Sequence, residues 1–164
     1  MSQCSPTLTR WLIKVLYNGG MEMIAAADDG WKIVEGVLND VKTQIRYRHE
    51  LNIDTYKNKF RDLLTIIWVY EPNDIDQSLP HLDDLEPMQS FEVALTDSFE
   101  EAEVGTLAFV YTAKGQREFG FYISSVDSAS DIINSTLVPD LPIDISLTND
   151  DRWSEFQGIL DLVG

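Results

Sequence analysis

The chain of 164 residues predicts an α+β fold in which helices cover one face of an antiparallel sheet. Three observations predict it. Strand-like and helix-like apolar patterns alternate after residue 62. Two β-rich runs flank a short turn at residues 113–116, which predicts a hairpin. The resulting order, β-α-β-β-α-β and then a helix, is that of a ferredoxin-like sandwich.

Residues 1–61 are predicted to form a hairpin and a helix that pack on, or extend, the main sheet of residues 62–164. Asn18 and Gly19 supply the positive φ angles of a tight turn, which predicts a hairpin over residues 10–26. The following apolar residues match one helix face, with Asp28 and Asp29 at its start. These helix-face residues are Ile33, Val34, Val37, Leu38 and Val41. Residues 46–53 are open between strand and loop.

The main domain begins with residues 63–70, which are apolar on both faces and therefore predict a central strand. Residues 71–82 contain two prolines and predict a loop. A helix follows over about residues 85–101, with Pro87 in its first turn, where a missing N–H costs little. A second helix is predicted over about residues 127–137. We expect both helices to bury Leu85, Met88, Phe91, Leu95, Ile132 and Ile133 against one face of the sheet.

The last two elements follow from simple patterns. Ile143, Ile145 and Leu147 alternate with polar residues, which predicts a half-buried strand. A final helix is predicted over residues 150–160, where Trp153 and Phe156 would pack it back onto the sheet.

Charge is distributed unevenly along the chain, which has 12 basic and 28 acidic residues and a net charge of −16. Residues 1–61 hold 9 basic and 7 acidic residues, whereas residues 62–164 hold 3 and 21. Such a surface repels phosphates and anionic membranes, so direct binding of nucleic acid or membrane is not expected. A basic protein partner would be attracted, although acidic charge also serves solubility alone.

The predicted helix at residues 85–101 and its flanks hold the densest carboxylates and supply the candidate partner-binding residues. Carboxylates near the end of this helix interact unfavourably with the helix dipole. A stability cost without a local gain indicates that these residues are present for a functional reason. The candidates are Asp83, Asp84, Glu86, Glu92, Asp97, Glu100, Glu101 and Glu103.

No pattern of residues assigns catalysis, a cofactor or a metal. Glycine spacing excludes the common nucleotide-binding loops. His49, His81 and Cys4 lack the spacing of a metal site or nucleophilic pair, and Asp74 and Asp76 lack the remaining ligands of a calcium loop. A metal-assisted hydrolase built from scattered carboxylates stays open as an alternative. The N-terminus has no signal-peptide pattern and no apolar run would span a bilayer, so a cytoplasmic protein is expected.

Residues 60–160 resemble domain-of-unknown-function family 695, which is mainly bacterial. The resemblance rests on residues 64–70, on the run Thr112-x-x-Gly115-x-Arg117-x-Phe119-x-Phe121-Tyr122, and on Asp151-x-Trp153. Residues 27–58 fit less well and are interpreted as an insertion. The resemblance implies a fold similar to ribonuclease E inhibitor RraB, a small acidic regulator, and no catalytic residues. The leading hypothesis is a non-catalytic regulator or inhibitor of a basic partner. Alternatives are an immunity-type protein that neutralises a basic toxin, and a structural domain without its own ligand.

Overall fold

A computed structural model describes residues 22–26, 30–136 and 140–163 of the chain. Among these residues, strands and helices alternate in the order predicted after residue 62. The strands are β1 (Glu22–Ala26), β2 (Trp31–Leu38), β3 (Val41–Arg48), β4 (Asp62–Val69), β5 (Gly105–Ala113), β6 (Gln116–Ile123) and β7 (Ile143–Asn149). The helices are α1 (Ile53–Tyr56), α2 (Leu82–Glu101), α3 (Val126–Thr136) and α4 (Ser154–Val163). None of these helices is long and apolar enough to cross a membrane.

The described strands form one open antiparallel sheet in the order β1-β2-β3-β5-β6-β4-β7. The fold is therefore α+β, as predicted. β4 lies between β6 and β7, which confirms that its two apolar faces mark a central strand. β5 and β6 form the predicted hairpin, and the positive φ angles of Lys114 (55°) and Gly115 (78°) close its turn.

The predicted helix over residues 33–41 is wrong, because these residues form β2, a turn and the start of β3. Asn39 and Asp40 occupy the turn with φ angles of 52° and 65°, a left-handed conformation that these two residue types tolerate well. The hairpin extends the sheet beyond β5. β1 adds a further strand beside β2, while residues 10–21 of the predicted N-terminal hairpin lie outside the described residues.

Helices cover both faces of the sheet. α2 and α3 pack together on one face, where α2 buries Met88, Phe91, Leu95 and Phe99 as its spacing predicts. Ile133 is buried beside them, whereas Leu85 and Ile132 are only partly buried.

α4 covers the opposite face, where Trp153 and Phe156 are fully buried as predicted. The Trp153 ring stacks on Tyr122 with centroids 3.9 Å apart, and its indole N–H donates to the Phe60 carbonyl at 2.7 Å.

β7 is not the half-buried strand that its alternating pattern predicts. It forms the end of the described sheet, and Ile145 and Leu147 keep 46% and 45% of their surface exposed. These two side chains lie on the same face as α3 because they pair with Ile66 and Leu64, which belong to the core under α2 and α3. The pattern correctly predicts a strand, but it overestimates how far the helices reach over that strand.

Candidate functional site

The eight candidate carboxylates do not form one surface. Glu92 and Glu100 lie on the side of α2 that faces β3, where each meets an arginine of the same chain. Glu103 follows the helix and pairs with Lys59 across 3.3 Å. The helix has no basic residue in its last turn, and the cations of these three ion pairs, Arg46, Arg48 and Lys59, come from residues before position 62. The basic excess of the N-terminal residues is thus used inside the fold.

The Glu92–Arg46 pair is the most buried ion pair of the described residues. Only 13% of the Glu92 side chain and 28% of the Arg46 side chain are exposed. Burial raises the pKa of Glu92, although Arg46 and Arg117 oppose this shift. Burial also lowers the pKa of Arg117, with a further contribution from Arg46, while Glu92 opposes it. Desolvation and the like charges of Arg46 and Arg117 therefore oppose the formation of this cluster, whereas the Glu92 carboxylate interacts favourably with both guanidinium groups.

Trp31 holds the two arginines of β3 in place. Its ring lies 4.8 Å from the Arg46 guanidinium carbon and 5.5 Å from that of Arg48. Arg48 also donates to Glu100 at 3.2 Å and to the Thr106 hydroxyl at 2.6 Å. An indole, two guanidinium groups and two carboxylates thus join β2 and β3 to α2. We interpret this cluster as a structural contact within the protein.

A second row of carboxylates faces solvent on the side of α2 away from its buried residues. Glu86, Asp97 and Glu101 are exposed and lie within one helical stripe, which also contains Val93 with 49% of its surface exposed. None of the three carboxylates forms an ion pair with any described residue. In the first turn, Asp83 is exposed and Asp84 is partly buried, where negative charge favours the helix dipole. The structure thus leaves an acidic stripe with one apolar residue near its centre.

The residues considered for other chemistry do not come together. Within residues 22–26, 30–136 and 140–163, no three His, Cys, Asp or Glu side chains are placed to hold a metal ion. His49 and His81 are exposed, and Cys4 lies outside the described residues. The Asp76 carboxylate accepts the backbone N–H groups of Ser78 and Leu79 at 2.9 Å each, so it stabilises its own loop.

A groove between α3 and β7 is the other notable surface. It has a volume of about 240 Å³, and Leu64, Ala129 and Ile133 form its buried floor. Val126, Ile145 and Leu147 line it while 42–46% of their surface stays exposed. The groove lies beside the outer edge of the sheet, on the side farthest from the arginines of β3.

One family model matches residues 29–160, that of a family of unknown function known as DUF695. The chain belongs to this family. The match includes residues 29–58, and therefore the β2–β3 hairpin that was interpreted as an insertion. No curated protein and no solved structure matches the chain.

Two features of these surfaces were missed from the sequence. Arg46 and Arg48 lie in a segment that the sequence leaves open between strand and loop, so their two-residue spacing does not by itself place them on one strand face. The basic excess of residues 1–61 was a signal that these cations meet the acidic helix. The groove was missed because alternation identifies a strand without showing whether that strand lies at an edge.

Proposed function

We propose that the protein is a non-catalytic binding module that regulates or inhibits a basic protein partner. The observation that carries this proposal is the solvent-facing stripe of α2, on which Glu86, Asp97 and Glu101 form no ion pair with any of the described residues. By contrast, Glu92, Glu100 and Glu103 are each paired with a cation of the same chain. The stripe is available to another molecule.

The physical effect of this stripe is on recognition and on the rate of association. Carboxylates along one helix face attract a basic surface from a distance and orient it before contact. Val93, exposed among them, offers an apolar contact that survives when salt screens the charges. Both features suit a regulator that binds a basic protein reversibly.

The fold supports the same proposal in a less specific way. The strands β5-β6-β4-β7 and the helices α2 and α3 on one face are compatible with a ferredoxin-like arrangement of residues 62–149. We propose that this arrangement is the part of the fold that the chain shares with the RraB inhibitor. The rest of the sheet, β1 to β3, would be an addition to it.

The test compares two variants that lose the same number of charges. Glu86→Gln/Asp97→Asn/Glu101→Gln removes the stripe, and Glu50→Gln/Glu71→Gln/Asp74→Asn removes three exposed carboxylates elsewhere. Each variant is immobilised and exposed at low salt to cytosol from the source cells. We expect the wild type and the control to retain the same basic protein in stoichiometric amounts, and the stripe variant to lose it.

Two results would contradict the proposal. Retention of the partner by the stripe variant would move recognition away from α2. The absence of any stoichiometric partner at low salt would remove the main support for a binding module.

A further inference from the structure

β7 has an open backbone edge beside the apolar groove. The Val69 N–H donates to the Pro142 carbonyl, and the Asp150 N–H donates to the Arg61 carbonyl, each at 2.9 Å. Even-numbered residues at both ends of β7 therefore direct their backbone groups toward β4. Because backbone direction alternates along an antiparallel strand, Ile145 and Leu147 direct theirs away from the sheet. Within the described part of the chain, no strand pairs with this edge.

The side chains of the same two residues line the groove. A bound segment could therefore form backbone hydrogen bonds and apolar contacts at the same place. Ile145 and Leu147 present their side chains toward α3, where Val126 forms the opposite wall. An added strand beside β7 would place every second side chain over this groove, because side chains alternate between the two faces of a strand. The edge thus offers hydrogen bonds, and the groove offers pockets for alternate apolar residues.

None of the described residues that line the groove is basic, and the guanidinium group of Arg61, beyond the far end of β7, lies 3.9 Å from the Asp151 carboxylate. The chain has no Lys, Arg or His between Arg117 and Arg152, and β4 has none either. Asp127 and Asp131 are exposed on α3, and Asp144 is exposed on the opposite face of β7. A second copy of this chain would bring its own Asp144 against the first. A strand with alternating basic and apolar residues complements both faces.

We propose that the β7 edge and its groove bind an extended basic-apolar segment of a partner protein as an added strand. Apolar side chains of this segment fill the groove between Val126 and Leu147, and basic side chains reach Asp144 on the other face. This site deepens the proposed function and rests on it for the basic character of the partner. It does not use the stripe of α2.

The test uses synthetic peptides as long as the seven residues of β7. The first alternates lysine with isoleucine or valine. The second replaces each lysine by glutamate, and the third is the first peptide with N-methyl groups on alternate backbone amides, which block strand pairing. Binding is followed by fluorescence anisotropy, and hydrogen exchange of the Ile145 and Leu147 amides reports where the peptide lies.

We expect the lysine peptide to bind saturably and to protect both amides, and the other two peptides to bind at least about tenfold more weakly, because they lose the charge match or the hydrogen bonds. Ile145→Thr/Leu147→Thr should weaken the lysine peptide at least about tenfold through lost apolar burial. Val37→Thr/Val69→Thr is the matched control, because these valines are exposed to a similar degree outside the groove and should leave binding unchanged.

Three results would overturn the proposal. Equal binding of the N-methylated peptide would show charge attraction without an added strand. Equal binding to the Ile145→Thr/Leu147→Thr variant would place the peptide elsewhere. The third result is that, in the absence of peptide, both amides become protected as the protein concentration rises and sedimentation shows dimers. This result would show that the groove is an interface between two copies of the chain.

The α2 stripe variant separates this proposal from the proposed function. If Glu86→Gln/Asp97→Asn/Glu101→Gln loses the cytosolic partner and no variant or wild type binds the lysine peptide, only the groove proposal fails. If the lysine peptide binds as expected and no cytosolic partner is found, only the proposed role of α2 fails.

Discussion

At the β3 flank of the sheet, carboxylates of α2 meet guanidinium groups of the same chain, whereas at the β7 flank no described residue that lines the groove is basic. The first flank is closed by Trp31, which lies over Arg46 and Arg48. At the second, Ile145 and Leu147 are half exposed beside a backbone edge that no strand among the described residues pairs with. The acidic residues 62–164 therefore contribute both to a flank held by ion pairs within the chain and to a flank that is open to solvent.

The difference shows how to separate structural charge from charge available for binding. Net charge alone assigns all eight candidate carboxylates to one role. The structure divides them, because Glu92, Glu100 and Glu103 pair with cations, whereas Glu86, Asp97 and Glu101 form no ion pair within the described part of the chain. The following predictions test this division and the contrast between the flanks.

The largest effect is expected where α2 is anchored between the two flanks. Phe91 is 8% exposed, and its ring meets Trp68 and Phe119 with centroids 5.4 and 5.5 Å away. Phe91→Ala should lower the free energy of unfolding by about 3–5 kcal/mol, because it removes a buried ring and leaves a cavity. Urea denaturation measures this change. Val93→Ala, on the exposed side of the same helix, is the control and should stay within about 0.5 kcal/mol.

The next effect concerns the closed flank. Arg46→Met should cost about 2 kcal/mol near neutral pH, because it leaves the Glu92 carboxylate partly buried without its nearest cation. Arg48→Met is the matched control. Its partner Glu100 is 39% exposed, so we expect a cost of about 1 kcal/mol or less. Equal costs for the two variants would contradict the distinction between a buried and an exposed pair.

The pH dependence of Arg46→Met follows from the direction of the Glu92 shift. Burial holds the pKa of this carboxyl above its ordinary value, so the folded chain binds its proton more tightly than the unfolded chain. Its contribution to stability is therefore greatest in acid and is lost as pH rises through the folded pKa. Without Arg46 that pKa rises further. The cost of Arg46→Met should thus grow between about pH 4 and pH 7, as measured by denaturation at each pH, and a constant cost would contradict it.

At the open flank, we expect replacement of apolar residues by threonine to have a small effect on the free energy of unfolding, although the same change in a core is severe. Ile145→Thr/Leu147→Thr should cost about 1 kcal/mol or less in thermal or urea unfolding, because both side chains are already half exposed and threonine suits a strand. Ile66→Thr, at a fully buried position of the neighbouring strand, should cost several times more. A large loss in the double variant would show that the groove is covered in the folded protein.

The elements after residue 62 could be predicted from the sequence because periodicity and turn chemistry agree there. α2 shows its buried face in Met88, Phe91, Leu95 and Phe99, and the β5–β6 turn shows Gly115. The segment around residues 33–41 could not be decided by spacing alone. Its apolar residues match a helix face, but they also match two short strands joined by Asn39 and Asp40. The β-branched residues and this turn favour strands, and the pairing with β5 decides between the two.

The sequence predicts which carboxylates belong to the candidate site, but it does not predict which of them form ion pairs within the chain. Sequence places all the carboxylates of α2 on or near one helix, but helical spacing does not separate Glu92 and Glu100 from Glu86 and Asp97, because Glu100 lies closer to Glu86 around the helix than to Glu92. What the spacing cannot show is that Arg46 and Arg48 meet the first pair from a strand more than forty positions earlier. The exposure of β7 is likewise set by where α3 ends over the sheet, which depends on packing between elements distant in sequence.

The smallest effect is expected at the end of α2, where opposing contributions nearly cancel. Glu100, Glu101 and Glu103 stand where the dipole disfavours negative charge, and relief of this repulsion should add a few tenths of a kcal/mol for each residue. Glu100 and Glu103 also pair with Arg48 and Lys59 across 3.2 and 3.3 Å, exposed contacts worth about as much. The triple change to Gln should therefore leave stability within about 0.5 kcal/mol at low salt, and Glu101→Gln alone should raise it slightly. Urea denaturation at low and high salt checks both variants, since added salt should remove the small differences. If the triple variant unfolds, these side chains hold structural contacts, and the binding role of this end of α2 is wrong.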